Sequence, residues 1–292
     1  MNNQRIKGRI GLLLVAIIWG SSFVSSAISL DYFTPYQILA LRFLLASILM
    51  IIFFFKHFNK VKKSTIKKGA VLGIFLYLAF MFQTVGLVYT TPSKNAFITA
   101  FNVVLVPIIT AALTKQKLKI NAIIGAIFSI VGIAVMSLEG FTQFNLGDFL
   151  TLICAVFFAL QIVYTNEYVE DENIYMLNTI QVGTAAVLGI VVSIFRNDAL
   201  STANITGMGI FSVLYLGAIS TMLAFLLQTS SQRYTTGPET AIILSTEAVF
   251  GMMSSALILR EYITMRMLLG SILILAGVLI VELKPRKKME IN

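Results

Sequence analysis

The chain has 292 residues, of which 58% are apolar and only 12% charged, and its net charge is +9. A soluble domain carries roughly twice that charged fraction, about 25%. The composition therefore excludes an ordinary soluble domain and indicates an integral membrane protein. The basic residues lie in short segments between apolar runs, as membrane-surface charges do, so no nucleic-acid partner is expected. Cys154 is the only cysteine, and His57, in a lysine-rich segment, is the only histidine. An intramolecular disulfide and a thiolate metal cluster are excluded, and no metal, cofactor or catalytic motif is present.

In chain order, the apolar runs predict membrane-spanning helices near 10–30, 35–55, 69–90, 93–114, 120–138, 147–166, 174–195, 207–228, 238–259 and 267–283. Each is close to the ~20 residues that cross a hydrocarbon core. The first run follows Arg5, Lys7 and Arg9, but it is too long for the apolar part of a signal peptide and reads as an uncleaved span. Pro35, Pro92 and Pro238 fall where helices begin, and Pro285 follows the last one. Only Pro107 is interior, and it is expected to kink the fourth helix. Seventeen Lys and Arg lie on the side of the two termini, against four on the other and Arg42 within the second span. That bias places both termini in the cytoplasm.

A shift of 145 residues pairs Gln83–Met136 with Gln228–Val281 without a gap, and twelve of the 54 pairs are identical. The identities include the polar run Gln83/Gln228, Thr84/Thr229, Tyr89/Tyr234, Thr90/Thr235 and Thr91/Thr236. The shift spans five helices, an odd number, so the two copies cross the membrane in opposite senses. Such an inverted repeat is common in secondary transporters, where a site lies between the halves. The expected fold is all-α, with ten transmembrane helices in two five-helix inverted-topology repeats around a central cavity. The repeats cover 1–138 and 147–283, and 284–292 is a basic cytoplasmic tail.

Polar residues recur at helical spacing inside the spans. Asn95, Thr99 and Asn102 share a face of the fourth helix, as Thr240, Glu247, Gly251 and Ser254 do in the ninth. The repeat makes Asn95 equivalent to Thr240, and Asn102 to Glu247. Both faces are expected to line the cavity, with Gln83, Gln161, Thr221 and Gln228 contributing from other helices. Buried amides such as these, and Asn178 with Gln181, otherwise serve only to bond neighbouring helices. Glu247 reads as a ligand for a substrate amine, as a proton-coupling group, or as a neutral acid bonded to a neighbour. Arg42 either meets an anionic group, Glu247 included, or snorkels to the surface. Trp19, the one tryptophan, sits mid-span with Ser22 and Ser26 on its face, as a cavity wall or as packing. Gly251, beside the position equivalent to Pro107, is expected to act with that proline as a kink or hinge. Gly125 and Gly132, repeated as Gly270 and Gly277, form a close-packing stripe within the bundle or toward a second copy in a homodimer.

Four stretches then resemble a known family: WGSSF at 19–23, LRFLLA at 41–46, STEAVFGMMSSALILREYIT at 245–264 and LLGSILILAGVLIV at 268–281. Together with the spans and the repeat, they make the chain similar to the EamA-type transporters of the drug/metabolite transporter superfamily. The resemblance implies alternating access, a bilayer and a small-molecule substrate as partners, and a bacterial inner-membrane location. It also implies movement, commonly export, of amino acids, related metabolites or drugs, with a passive channel or a non-transport membrane protein as the alternatives. The family motif places an acid after the fourth and ninth helices. Here the ninth has Glu261, whereas the equivalent position is Gln116. An intramembrane enzyme would need paired aspartates, an intramembrane histidine or a metal cluster, and none is present.

Overall fold

A computed structural model describes residues 2–115, 120–137, 145–196 and 206–282. The basic tail 284–292, Gln116, Lys117 and Lys119 lie outside the described residues. Helix α1 is Asn2–Leu30, α2 Pro35–Phe54 and α3 Lys63–Leu87. Helix α4, Pro92–Thr114, consists of two segments, Pro92–Thr99 and Asn102–Thr114. Then follow α5 (Ile120–Ser137), α6 (Leu146–Tyr168) and α7 (Ile174–Phe195). Helix α8 spans Gly207–Gln232, with wide i→i+5 turns over Tyr215–Leu223. Helix α9, Gly237–Leu259, is divided into Gly237–Ser245, Glu247–Ser254 and a widened end, Ser255–Leu259. Helix α10 is Met265–Glu282.

Eight of these, α1–α4 and α6–α9, are long and apolar enough to cross a membrane. Helices α5 and α10 carry the shorter apolar stretches Ile123–Gly132 and Met265–Gly277, and they pack along each other. The outside of the bundle is apolar: Ile52, Phe53, Val187, Ile194 and Leu257 are exposed. Much of the polar side-chain surface points inward, including Asn95, Gln161, Gln228 and Thr240, all at 0% exposure. This is the distribution a hydrocarbon solvent imposes, because no water is present there to satisfy polar groups.

The helix starts explain the repeated threonines. Thr91 Oγ1 accepts from Lys94 N–H and Thr236 Oγ1 from Glu239 N–H, so equivalent threonines cap α4 and α9. Thr34 caps α2 in the same way, with Gln37 reaching back to Thr34 N–H. The far ends also match. Lys115 and Arg260, again 145 apart, both take left-handed backbone (φ 54° and 55°) where α4 and α9 stop. Helix α1 begins eight residues before the sequence-derived span, because Arg5 and Arg9 continue it to reach Glu239.

Helix α3 packs against α6 and α7, while α8 packs against α1 and α2. The first segment of α4 meets Glu247–Ser254 of α9, and its second segment meets Gly237–Ser245, so α4 and α9 run antiparallel. Two glycine crossings hold the bundle close. A Cβ on Gly20 of α1 would lie 2.5 Å from Phe250 Cβ and 2.8 Å from the Glu247 carbonyl oxygen. A Cβ on Gly132 of α5 would lie 2.7 Å from the Gly270 carbonyl oxygen of α10, so these two glycines meet within one chain. Gly125 and Gly277 are buried as well.

The acidic turn between α6 and α7 anchors the start of α3. Glu172 accepts from Thr65 Oγ1 (2.5 Å) and pairs with Lys68 Nζ (3.2 Å). Burial alone raises the Glu172 pKa, but hydrogen bonds from Thr65, Ser64 and Lys68, with the Lys68 charge, outweigh it and hold the carboxyl below its ordinary 4.5.

Two outcomes are expected. Gly20→Ala gains up to about 1 kcal/mol of helix propensity, but its Cβ meets backbone that cannot yield, and overpacking costs about 1–3 kcal/mol. The melting temperature in detergent therefore falls, whereas Gly207→Ala, where a Cβ meets nothing within 4 Å among the described residues, does not lower it. For Glu172 the folded pKa is depressed, so its contribution is complete above 4.5 and is lost as pH falls through the lower folded value. Melting profiles against pH should show that loss in the wild type and lack it in Glu172→Gln.

Candidate functional site: a polar cavity between two interrupted helices

Helices α4 and α9 are broken at equivalent places. In α4 the break is at Ala100–Phe101, where the turn tightens into the bonds Val103 N–H to Ala100 O (3.1 Å) and Val104 N–H to Phe101 O (3.0 Å). In α9 it is at Thr246, with Thr246 N–H to Ile243 O (3.2 Å) and Val249 N–H to Thr246 O (3.1 Å). Phe101 and Thr246 are 145 apart. Pro107 lies inside the second segment of α4, downstream of the break, and α9 breaks with no proline at the matching position, Met252. Asn102 and Glu247 are thus the first residues of the two following segments.

Beside these breaks lies a small cavity. Of the residues singled out from sequence, Trp19, Ser22, Gln83, Asn102, Gln161, Gln228 and Glu247 line it. Phe23, Phe80, Phe158, Ile162 and Leu244 complete the wall. Trp19 Nε1 donates to Ser220 O (2.9 Å), a carbonyl in the widened turns of α8, and its ring packs 5.0 Å from Phe225 and 6.4 Å from Phe158. Wide turns of this kind recur at functional sites. The amides form a relay: Gln228 Nε2 donates to Gln161 Oε1 (3.1 Å), and Gln161 Nε2 to Gln181 Oε1 (3.3 Å). Gln83 Nε2 donates to Thr99 Oγ1 (3.2 Å). Glu247 is 5% exposed and has no hydrogen-bond or ion-pair partner among the described residues.

Six of the expected residues, Asn95, Thr99, Thr221, Thr240, Gly251 and Ser254, do not line the cavity. Asn95 Nδ2 donates to Gln83 O (3.2 Å) and Thr151 Oγ1 (3.0 Å), which ties α4 to α3 and α6. Thr99 sits between Gln83 and Cys154. Thr221 accepts from Arg42 Nε (3.1 Å) and donates to Leu216 O (2.7 Å). Arg42 is 1% exposed, so it does not snorkel, and it meets no carboxylate among the described residues. Its Nη2 donates to Ser220 Oγ (3.4 Å), and the guanidinium lies 4.0 Å from the centre of the Phe80 ring. Gly251 meets α4 and α1: a Cβ there would lie 3.0 Å from Ala96 Cβ and 3.5 Å from the Gly20 carbonyl oxygen. Glu261 accepts from Ser93 N–H (3.3 Å) and Oγ (2.7 Å) and from Ser255 Oγ, and so binds the start of α4.

Sequence reasoning missed two ion pairs at the starts of the broken helices. Lys94 Nζ lies 2.8 Å from Asp148 at the start of α6. Glu239 receives Arg5 Nη2 (2.8 Å) and Arg9 Nε (2.6 Å) from α1. Lys94 and Glu239 are equivalent positions of opposite charge, a signal visible in the repeat alignment itself.

Comparison with known proteins assigns the family. The EamA-like transporter family model matches twice, over 6–138 and 145–283. The chain belongs to the EamA-like transporter family. It is therefore a multi-pass membrane protein of a transporter family, and the family implies a lipid bilayer and a small-molecule substrate. Among its relatives, an uncharacterized transporter of Archaeoglobus fulgidus is 35% identical, over 96% of this chain and 87% of that one. A protein of Salmonella typhimurium named "Probable amino-acid metabolite efflux pump" is 26% identical, over 92% of each chain. A solved crystal structure superposes with a TM-score of 0.71 at 15% identity, covering 93% of this chain and 95% of that one, which bears on the fold alone.

Proposed function

We propose that the protein is a secondary carrier that moves small metabolites, amino acids or related amphipathic compounds, out of the cell by alternating access. The carrying observation is the cavity beside equivalent breaks in two antiparallel helices, lined by the equivalent pairs Gln83/Gln228 and Asn102/Glu247. The reading takes α1–α5 and α6–α10 as two inverted five-helix repeats with both termini cytoplasmic. The double family match, the paired breaks and the paired left-handed caps support it. The name of the Salmonella typhimurium relative favours amino-acid-related substrates and export.

The two ion pairs lie at opposite ends of the antiparallel helices. Each stands eight residues, about 12 Å of helix, before the cavity residue of its own helix. On this reading Glu239 with Arg5 and Arg9 closes the cytoplasmic end, and Lys94 with Asp148 the outer end.

Reconstituted vesicles test the carrier. Saturable flux of at least one member of a panel of amino acids and their decarboxylated amines is expected, reduced about thirtyfold or more in Glu247→Gln, the usual scale for losing a buried charged contact. Flux that never saturates points to a channel, and background flux across the panel removes the carrier reading.

Accessibility tests the end closures. With Ser22→Cys as reporter in a Cys154→Ala background, Glu239→Ala is expected to raise labelling by an impermeant maleimide several-fold from the cytoplasmic side only. Lys94→Ala should do so from the outer side only. Equal gains from both sides, or from neither, contradict the assignment of the two pairs.

A further inference from the structure

We infer that the cavity selects monocationic amines with an apolar or aromatic body, in preference to zwitterions and anions of the same shape. This rests on the reading of the cavity as the substrate site and narrows it to a charge class. Glu247 is the one ionisable side chain lining the cavity. No cation faces it: Arg42, the one buried cation among the described residues, lies against Phe80 and donates to Thr221 and Ser220. An isolated carboxylate in a low-dielectric interior is costly, and a ligand that brings a positive charge removes that cost.

The remaining groups point to the same ligand. The buried carboxamide oxygens of Asn102 and Gln228 have no donor, while an ammonium brings three N–H donors and no acceptor. The rings of Trp19, Phe80 and Phe158 are part of the wall, with Phe80 and Phe158 edge to face at 5.1 Å. Aromatic faces attract cations and repel anions. A ligand carboxylate would therefore meet Glu247 and aromatic faces, with no Lys, Arg or His in the lining.

Trp19 is the only tryptophan, so its emission reports on the cavity of the purified protein directly. Phenethylamine, phenylalanine and phenylacetate share a ring and differ in charge. Phenethylamine should shift the emission saturably, and the other two should bind about a hundredfold more weakly or worse, the scale of one unpaired buried charge. Glu247→Gln should weaken phenethylamine binding by a similar factor, and Glu247→Asp should keep the amine preference. Size-exclusion profiles check folding. If Glu247→Gln does not fold, the ligand series on the wild type and Glu247→Asp decides. Equal affinity for all three ligands, unchanged amine affinity in a folded Glu247→Gln, or no saturable amine response overturns the inference. Flux of the same ligands in vesicles separates the two levels. Amine-selective binding without flux removes the carrier and leaves this site, whereas flux without charge discrimination removes the amine selectivity and leaves the carrier.

Discussion

A polypeptide surrounded by hydrocarbon must satisfy its backbone groups internally, so a helix can be interrupted only where other protein covers the gap. That constraint governs the centre of this molecule. The breaks at Ala100–Phe101 and Thr246 lie beside Gly20, Ala96 and Gly251, small residues that let α1, α4 and α9 approach closely. Ala100 and Ser245, at the two breaks, are each 1% exposed. Covering the breaks places the starts of two new helical segments in the interior. The amide end of a helix carries partial positive charge, and Glu247 occupies the first turn of its segment. An interior carboxylate is thus partly accommodated by the geometry that interrupts the helix.

The other buried polar groups hold the cavity in shape. Arg42 illustrates this. A guanidinium at 1% exposure needs partners, and it takes Thr221 and Ser220 from α8 together with the Phe80 ring from α3. It fixes the aromatic wall without entering the site. Asn95 does the same at the junction of α3, α4 and α6. The amide relay from Gln228 through Gln161 to Gln181 ties α8 to α6 and α7. These bonds orient the lining, and Glu247 is left as the ionisable group that the protein itself does not pair.

Helix existence was legible from apolar run length, and the pairing of Gln83 with Gln228 and Asn102 with Glu247 from the 145-residue shift. Depth was not. Periodicity assigns a residue to a face, but it cannot distinguish the cavity from a helix–helix seam. Asn95, Thr99 and Thr221 therefore read like Asn102 and yet meet neighbouring helices. Phe80 and Phe158 were hidden for the opposite reason. In a chain with 22 phenylalanines, an aromatic facing the cavity looks the same as one facing lipid. Pro107 drew attention to the right helix, but the break lies upstream and recurs in α9 without a proline, so tertiary packing sets its position.

The ion pairs show how a repeated architecture acquires two unequal ends. Glu239 sits in the first turn of α9, where the helix dipole favours a carboxylate, and two arginines from α1 converge on it. Lys94 occupies the equivalent first turn of α4, where the dipole disfavours a cation by about 0.3–1 kcal/mol. Asp148 offsets this, and it is itself in the first turn of α6, fully buried, with a further hydrogen bond from Thr90. In both places a carboxylate at a helix start carries the contact, but the helix that supplies it has changed. One closure depends on a single lysine and the other on two arginines, both half-exposed. On the carrier reading, the two ends therefore differ in how readily they open. On that same reading, the difference would let the two halves favour one resting conformation over its mirror.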